Sequence, residues 1–264
     1  MKSYNRVKYN NCPLIEVAYQ INFPSILSID AEEPVAFQER IRDKFPIYVK
    51  QVRKENQVAI NVDNNNPMPF FQKQQERNEH LFISKDEKWR ITLANNMIAL
   101  SSMDYKYWED MSSRFVDSFK ALEDIYKPAF YERVGLRYID AFVKQKLGVE
   151  DKKWSDLLEP HVCGCLSYSS DVEMVVRNSM VHAEVYDGDV SIRLSSGLGK
   201  LDQHDGNAPQ DAFILNCDYF VLGKFSTEEI KDKTEKVHHR SHIFFRDAIT
   251  DTLHAAMQPR ELDK

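Results

Sequence analysis

The sequence predicts an α+β fold in which antiparallel sheets form two similar halves, each covered by a long amphipathic helix. Two observations carry this prediction. Short runs of alternating apolar and polar residues follow one another without an intervening helix, which is typical of antiparallel strands rather than of βαβ units. Two longer segments place apolar residues three or four positions apart over several turns, which indicates amphipathic helices. We expect halves at residues 1–145 and 146–264, packed together as one compact unit.

The first half begins with a clearly alternating strand that Pro24 ends. Asp30 and Glu33 are spaced as a capping box, and they precede a helical pattern over residues 37–45. Residues 63–69, D-N-N-N-P-M-P, predict a loop. A helix over residues 105–126 closes the half before Pro128. The strands predicted for this half cover residues 12–23, 58–62, 80–84, 89–93 and 97–101.

The second half follows a strand at residues 130–143 and a charged boundary at residues 144–155. A short helix is expected at 154–158, and Asp187 with Gly188 predicts a two-residue hairpin turn. Residues 195–210 predict a long loop, and a helix from about Ser226 to Met257 ends the chain. The strands predicted for this half cover residues 163–168, 172–186, 190–194 and 212–222.

Composition excludes several classes of protein. Hydrophobic residues make up 42% of the 264 residues and aromatics 11%, which is too apolar for a disordered chain. The formal charge of -6 provides no global attraction for nucleic acid or for an anionic membrane. No apolar run approaches a membrane-spanning length, and the N-terminus lacks the apolar core of a signal peptide. We therefore expect a cytoplasmic protein with four reduced cysteines.

Four segments together resemble a known family. They are P-L-I-E-V near the N-terminus, K-W-R-I-T-L, Y-W-E, and E-R-V-G-L-R-Y-I-D at residues 132–140. The chain resembles a sporadically distributed prokaryotic family of proteins of similar length, whose function is not established. The resemblance implies no catalytic residues. The family's patchy distribution is like that of genes carried as defence or toxin–antitoxin cargo. Asp140 departs from the family pattern, which favours asparagine there.

Charged residues on predicted strands form the first candidate site, and the hypothetical ligand-binding residues are Arg90, Glu132, Arg137, Asp140 and Arg193. An arginine fork suits a phosphate or carboxylate ligand. The alternative is cross-strand ion pairing on a solvated sheet face. Because three positions separate Arg137 from Asp140, we expect these two side chains to lie on opposite sides of the sheet.

The second candidate is a metal site at His238 and His242, which are spaced i, i+4 on the last helix. The glutamate of H-E-x-x-H is missing, and a contact with an anion, a partner or solvent is the alternative. Cys163 and Cys165 are interpreted as buried thiols rather than zinc ligands. No cofactor is predicted.

The function predicted from these observations is a non-enzymatic cytoplasmic binding or regulatory component. It would recognise a co-encoded partner protein, in a mobile defence or toxin–antitoxin type of operon, through loops 63–69 and 195–210. The alternative is a sensor of a small anionic ligand or nucleotide, bound by Arg90, Arg137 and Arg193. The third hypothesis is a metal-dependent hydrolase that uses His238 and His242. A homodimer is compatible with the sequence, and no membrane contact is expected.

Overall fold

The structure is a computed structural model that describes residues 4–59, 71–168, 176–202 and 208–261, with the backbone alone for 54–59 and 71–76. Its strands are β1 (Val7–Tyr9), β2 (Leu14–Asn22), β3 (Ile47–Ala59), β4 (Phe71–Ile83), β5 (Trp89–Ala94), β6 (Met97–Ser102), β7 (Tyr131–Phe142), β8 (Met180–Asp187), β9 (Val190–Leu201), β10 (Gln210–Phe225) and β11 (Pro259–Glu261). Its helices are α1 (Leu27–Ala31), α2 (Val35–Ile41), α3 (Trp108–Tyr126), α4 (Lys144–Leu147), α5 (Trp154–Leu157), α6 (Pro160–Cys163), α7 (Glu229–Ala248) and α8 (Asp251–Ala256). No helix within these ranges is long and apolar enough to cross a bilayer.

Most strands belong to one antiparallel sheet. Its nine strands run in the order β3-β4-β5-β6-β2-β7-β10-β9-β8, and β1 pairs with β11 in a separate two-stranded sheet. The α+β class fits, but the prediction of two similar halves, each covered by a long helix, is wrong. Strands from both predicted halves share one sheet, and β2 lies between β6 and β7.

Contacts divide the chain into two compact units that alternate along the sequence. The large unit contains Met1–Ile21, Ser102–Lys106 and Phe130–Lys264. The small unit contains Asn22–Ser101 and Tyr107–Ala129. Helices α4 and α5, in the charged segment where the sequence placed a boundary, lie inside the large unit.

In the small unit, α2 packs against α3, and the ring of Phe37 lies 5.3 Å from that of Phe82 on β4. The helix predicted over 105–126 is confirmed as α3. The capping box is wrong, because Asp30 lies inside α1 and accepts a hydrogen bond from Asn95 at 2.5 Å. Strand β3 is much longer than predicted. Residues 60–62 of the predicted strand and the predicted loop 63–69 lie outside the described residues.

In the large unit, β10 is hydrogen-bonded on one side to β7 and on the other to β9. Helix α7 packs on these three strands. Tyr19 of β2 is tied to the same helix, because its hydroxyl lies 2.7 Å from Thr234 Oγ1. The predicted hairpin is confirmed, although its turn is Gly188 and Asp189, with Asp187 paired to Val190. Gly188 has a φ of 63°, which explains the glycine.

Three predictions for the large unit are wrong. Residues 163–167 are helical rather than a strand, since Pro160 opens α6 and a 3₁₀ turn follows over Gly164–Ser167. Residues 195–201 are not a loop but the second half of β9, paired with β10. The C-terminal helix is not continuous: α7 ends before Ile249, which makes a β-bridge to Leu158, and α8 follows.

Candidate functional site

The side of the large unit's sheet that faces away from α7 carries the candidate site. Tyr138 of β7 hydrogen-bonds Ser241 of α7. Arg133 and Arg137 are separated from Tyr138 by an odd number of positions, so they project from the opposite side of the strand. Cross-strand partners on β10, β9 and β8 extend this side. We call it the open sheet face and define it by Arg133, Arg137, Glu184, Tyr186, Arg193, Asp218, Phe220 and Leu222.

A row of four charges of alternating sign crosses the open sheet face. Glu184 lies opposite Arg193, which in turn lies opposite Asp218. Asp218 lies opposite Arg137 on its other side. Arg193 Nη2 is 3.1 Å from Glu184 Oε2, and its Nη1 is 3.9 Å from Asp218 Oδ2. Opposite charges in directly opposed positions favour this register over its neighbours.

Arg133 joins the row from four residues before Arg137 on β7, with Gly135 between them on the same side of the strand. Its Nη2 donates to Asp218 Oδ1 at 2.5 Å. Its Cζ lies 4.7 Å from the ring centroid of Phe220, and Cζ of Arg193 lies 5.2 Å from the same centroid. The two guanidinium groups shield the ring, which is only 2% exposed although it lies on the solvent side of the sheet. A cation–π contact therefore links the charges to the packing of the sheet.

Gly135 makes this position of Arg133 possible. A Cβ at residue 135 would lie 2.5 Å from Nη1 and 2.7 Å from Cζ of Arg133. Because glycine has no side chain, the guanidinium group can lie across the strand and reach Phe220, which is the cross-strand partner of Gly135. Within the sequence V-G-L at 134–136, Gly135 therefore continues the strand and also leaves the space that the Arg133 guanidinium occupies.

Arg137 lies at the end of the row, and its charge is balanced less well than those of Arg133 and Arg193, which both contact a carboxylate. Its Nε donates to Asn216 Oδ1 at 2.9 Å, and no carboxylate in the described part of the chain lies within ion-pair distance of it. Two large apolar side chains are also exposed on this face, Tyr186 at 71% and Leu222 at 65%. The Tyr186 hydroxyl donates to Glu184 Oε1 at 2.8 Å. Exposed tyrosine and aliphatic side chains beside arginine are typical of protein-binding surfaces.

The structure brings two of the predicted ligand-binding residues together and separates the other three. Arg137 and Arg193 both lie opposite Asp218. Arg90 lies on β5 in the small unit. Glu132 is exposed but alternates to the other side of β7 from Arg137. Asp140 is on that side as well, where it is buried.

Asp140 lies in an apolar environment beside α7. Its side chain is 5% exposed, and no hydrogen bond or ion pair to it comes from residues within the described ranges. Burial raises the pKa of Asp140 to about 8, so the carboxyl group is protonated at neutral pH. The negative charge of an ionised Asp140 would raise the pKa values of Tyr9, Tyr138 and Tyr219. Burial is the largest cause of the raised pKa of Tyr138, which is about 12.

The predicted metal site at His238 and His242 gains no third ligand. His242 Nε2 lies 3.4 Å from the carbonyl oxygen of Tyr4, and burial lowers the pKa of His242. Within the described ranges, no group of three or more histidine, cysteine, aspartate or glutamate side chains is arranged to hold a metal. Cys163 is buried, with its pKa raised to about 11 by burial, whereas Cys165 is exposed.

Sequence reasoning missed most residues of the site, namely Arg133, Gly135, Glu184, Tyr186, Asp218, Phe220 and Leu222. Arg133 and Gly135 have the same parity as Arg137 on β7, so strand alternation alone could have grouped these three. Asp218 and Phe220 could not be assigned in this way, because their place depends on which strand pairs with β7 and in which register.

Comparisons with known proteins do not assign a family. The chain matches no protein-family model, and no curated protein matches it significantly. The resemblance to the sporadically distributed prokaryotic family therefore stays a prediction.

Replacing Asp140 with asparagine is expected to change how stability depends on pH. In the unfolded chain Asp140 ionises near pH 4, whereas the folded protein keeps the proton up to about pH 8. The free energy of unfolding of the parent should therefore fall as pH rises through this window, by up to about 1.4 kcal/mol per pH unit from this group, and level off above it. The Asp140→Asn variant does not lose stability in this way, because asparagine does not ionise. Its free energy of unfolding should therefore rise relative to that of the parent between pH 4 and pH 8.

Urea unfolding of both proteins at several pH values from 4 to 9 measures this difference. The value at pH 4 is the internal reference, since both side chains are neutral there. A difference between the proteins that stays constant across the range would show that Asp140 is ionised in the folded protein.

Gly135→Ala is expected to displace the Arg133 guanidinium from Phe220 without unfolding the strand, because the crowded atoms belong to the end of a flexible side chain. The loss of this contact should lower the free energy of unfolding by about 1 kcal/mol. In an Arg133→Ala background the same glycine substitution should cost almost nothing. A double-mutant cycle by urea unfolding measures the coupling. Additive effects would contradict the proposed role of Gly135.

Proposed function

We propose that this chain is a non-enzymatic cytoplasmic binding component that recognises a partner protein through the open sheet face. One observation carries the proposal: exposed Tyr186 and Leu222 lie on the same side of the sheet as three ordered arginines. Tyrosine and arginine are the side chains that most often dominate protein-binding energy. Their partners on the sheet hold the guanidinium groups in place before binding, which lowers the entropy lost on association.

The charge balance of the face favours a protein over a small anion. Arg133 and Arg193 share Asp218, and Arg193 also contacts Glu184. A phosphate or carboxylate ligand would have to compete with these carboxylates for the guanidinium forks. A protein surface can keep the existing pairs and bury the apolar side chains around them. Arg137 would then donate hydrogen bonds to a carboxylate of the partner.

The identity of the partner rests on the resemblance described above. We infer that it is encoded beside this chain, in a defence or toxin–antitoxin type of operon. One of the two predicted contact loops, 63–69, lies outside the described residues. Of the other, 195–210, residues 195–201 belong to β9 and residues 203–207 lie outside the described residues. Its first residue, Ser195, pairs with Asn216, next to the charge row.

The binding test compares substitutions on the open sheet face with an equally exposed control. Tyr186→Ser, Leu222→Ser and Arg137→Ala should each weaken binding of the neighbouring gene product by about tenfold or more, as expected for interface hot spots. Leu27→Ser is the control, because Leu27 is exposed to a similar degree but lies in the small unit. Isothermal titration calorimetry with the purified proteins gives the affinities.

Two outcomes would contradict the proposal. Equal weakening by Leu222→Ser and Leu27→Ser would place the contact elsewhere or attribute it to nonspecific apolar binding. If the neighbouring product does not bind but a nucleotide raises the melting temperature, and Arg137→Ala removes that rise, the anion-sensor hypothesis replaces the protein-binding one.

A further inference from the structure

Strand β3 forms one edge of the nine-stranded sheet and is unusually long for an edge strand. It contains 13 residues, Ile47–Ala59, and pairs along this whole length with β4. In the sheet order it has β4 on one side and no strand from the described residues on the other. Such an edge presents a row of backbone donors and acceptors to which another strand can add.

The side chains of the first half of β3 are exposed and partly apolar. Ile47, Val49 and Val52 are all exposed, the first two on one side of the strand and Val52 on the other. Natural edge strands usually avoid exposed apolar residues, because these promote pairing with other chains. Their presence here indicates a surface that another chain covers.

Contacts with β4 and α1, within the small unit, fix the position of β3, so its edge is preorganised. The Tyr48 ring stacks on His80, with 6.1 Å between centroids, and the Tyr48 hydroxyl lies 3.0 Å from His80 Nδ1. His80 Nε2 in turn lies 3.1 Å from the carbonyl oxygen of Ile29. This arrangement fits a neutral histidine that donates from Nε2 and accepts at Nδ1, and burial lowers its pKa. A fixed edge loses little entropy when a strand adds to it.

The charge of this edge is positive in a chain whose net charge is negative. Lys50 and Arg53 are exposed, and residues 47–53 contain no acidic side chain. The neighbouring carboxylate on β4, Glu79, is buried and already binds Arg77 at 2.7 Å and Gln51 at 2.9 Å, with Arg53 at 3.8 Å. Among residues 47–53 and their cross-strand partners 77–83, the three cations Lys50, Arg53 and Arg77 outnumber the one carboxylate, Glu79.

These charges select the incoming strand. In the antiparallel register that places residue 50 opposite residue 53 of a second copy, Lys50 and Arg53 would oppose each other at two places, and like charges in opposed positions are destabilising. An acidic strand would instead form cross-strand ion pairs with them. We propose that the β3 edge binds an extended, acidic, partly apolar segment of another protein by strand addition. This surface lies in the small unit and is separate from the open sheet face.

The register of β3 defines a peptide probe. An antiparallel strand needs carboxylates opposite Arg53 and Lys50. It needs apolar side chains opposite Val52, Val49 and Ile47. Read from residue 53 back to residue 47, these requirements give the peptide Glu-Val-Thr-Glu-Val-Thr-Val, with threonine at the two remaining positions. The matched control, Lys-Val-Thr-Lys-Val-Thr-Val, has the same strand propensity but opposite charge.

Fluorescence anisotropy with the labelled peptides tests the proposal on the full chain. The acidic peptide should bind at least about tenfold more tightly than the basic one, and salt should weaken its binding. The double variant Lys50→Glu with Arg53→Glu should reverse this order. Should that variant melt early because Arg53 is near Glu79, Lys50→Glu alone, with peptides that differ only at the position opposite residue 50, gives the same comparison.

Three results would overturn the proposal: neither peptide binds at millimolar concentration, both bind equally, or the charge reversal leaves the order unchanged. Self-association of the parent chain that Lys50→Glu abolishes would also overturn it, by showing that the edge binds a second copy. Tyr186→Ser and Leu222→Ser should leave peptide binding unchanged. Failure at the β3 edge is therefore distinguishable from failure of the open sheet face.

Discussion

The antiparallel register of β10 between β7 and β9 is the constraint on which the large unit depends. Alternate residues of β10, from Phe213 to Val221, are buried on the α7 side of the sheet. The residues between them include Asp218 and Phe220, which belong to the open sheet face. A slip of one residue against either neighbour would exchange these two sets. It would move Asp218 into the apolar interior and Tyr219 into solvent, so core packing and the charge row enforce the same register.

This constraint gives the two sides of β7 opposite electrostatic environments. On the solvent side, the guanidinium group of Arg137 is exposed and donates a hydrogen bond to Asn216. On the side that packs against α7, burial favours the protonated form of Asp140 and raises its pKa to about 8. The short sequence from Arg137 to Asp140 therefore carries one charged and one neutral side chain at neutral pH. Arg137 and Asp140 do not form an ion pair, because their side chains lie on opposite sides of the sheet although the residues are close in sequence.

Elements with a strong local period could be predicted, whereas their neighbours in the sheet could not. Strand β7 and helix α3 follow from alternation and from helical spacing in the sequence alone. The segment 195–201 shows the limit. Its serines and glycines indicate a loop, but pairing with β10 along its whole length outweighs their low strand propensity. Residues 163–168 show the opposite error, because Pro160 starts a helical turn where the sequence analysis predicts a strand.

The site was predicted in part for the same reason. Arg137 and Arg193 were grouped with Arg90 because all three are strand arginines, and residue type cannot tell which strands are adjacent. Pairing with β10 brings the first two to Asp218 and leaves Arg90 on another unit. The two proposed surfaces also differ in how they use charge. The open sheet face is largely neutralised within itself and exerts little long-range attraction, so its arginines contribute geometry and specificity. Residues 47–53 of the β3 edge carry two positive and no negative side chains, and this excess acts at a distance and would raise the rate of encounter with an acidic segment.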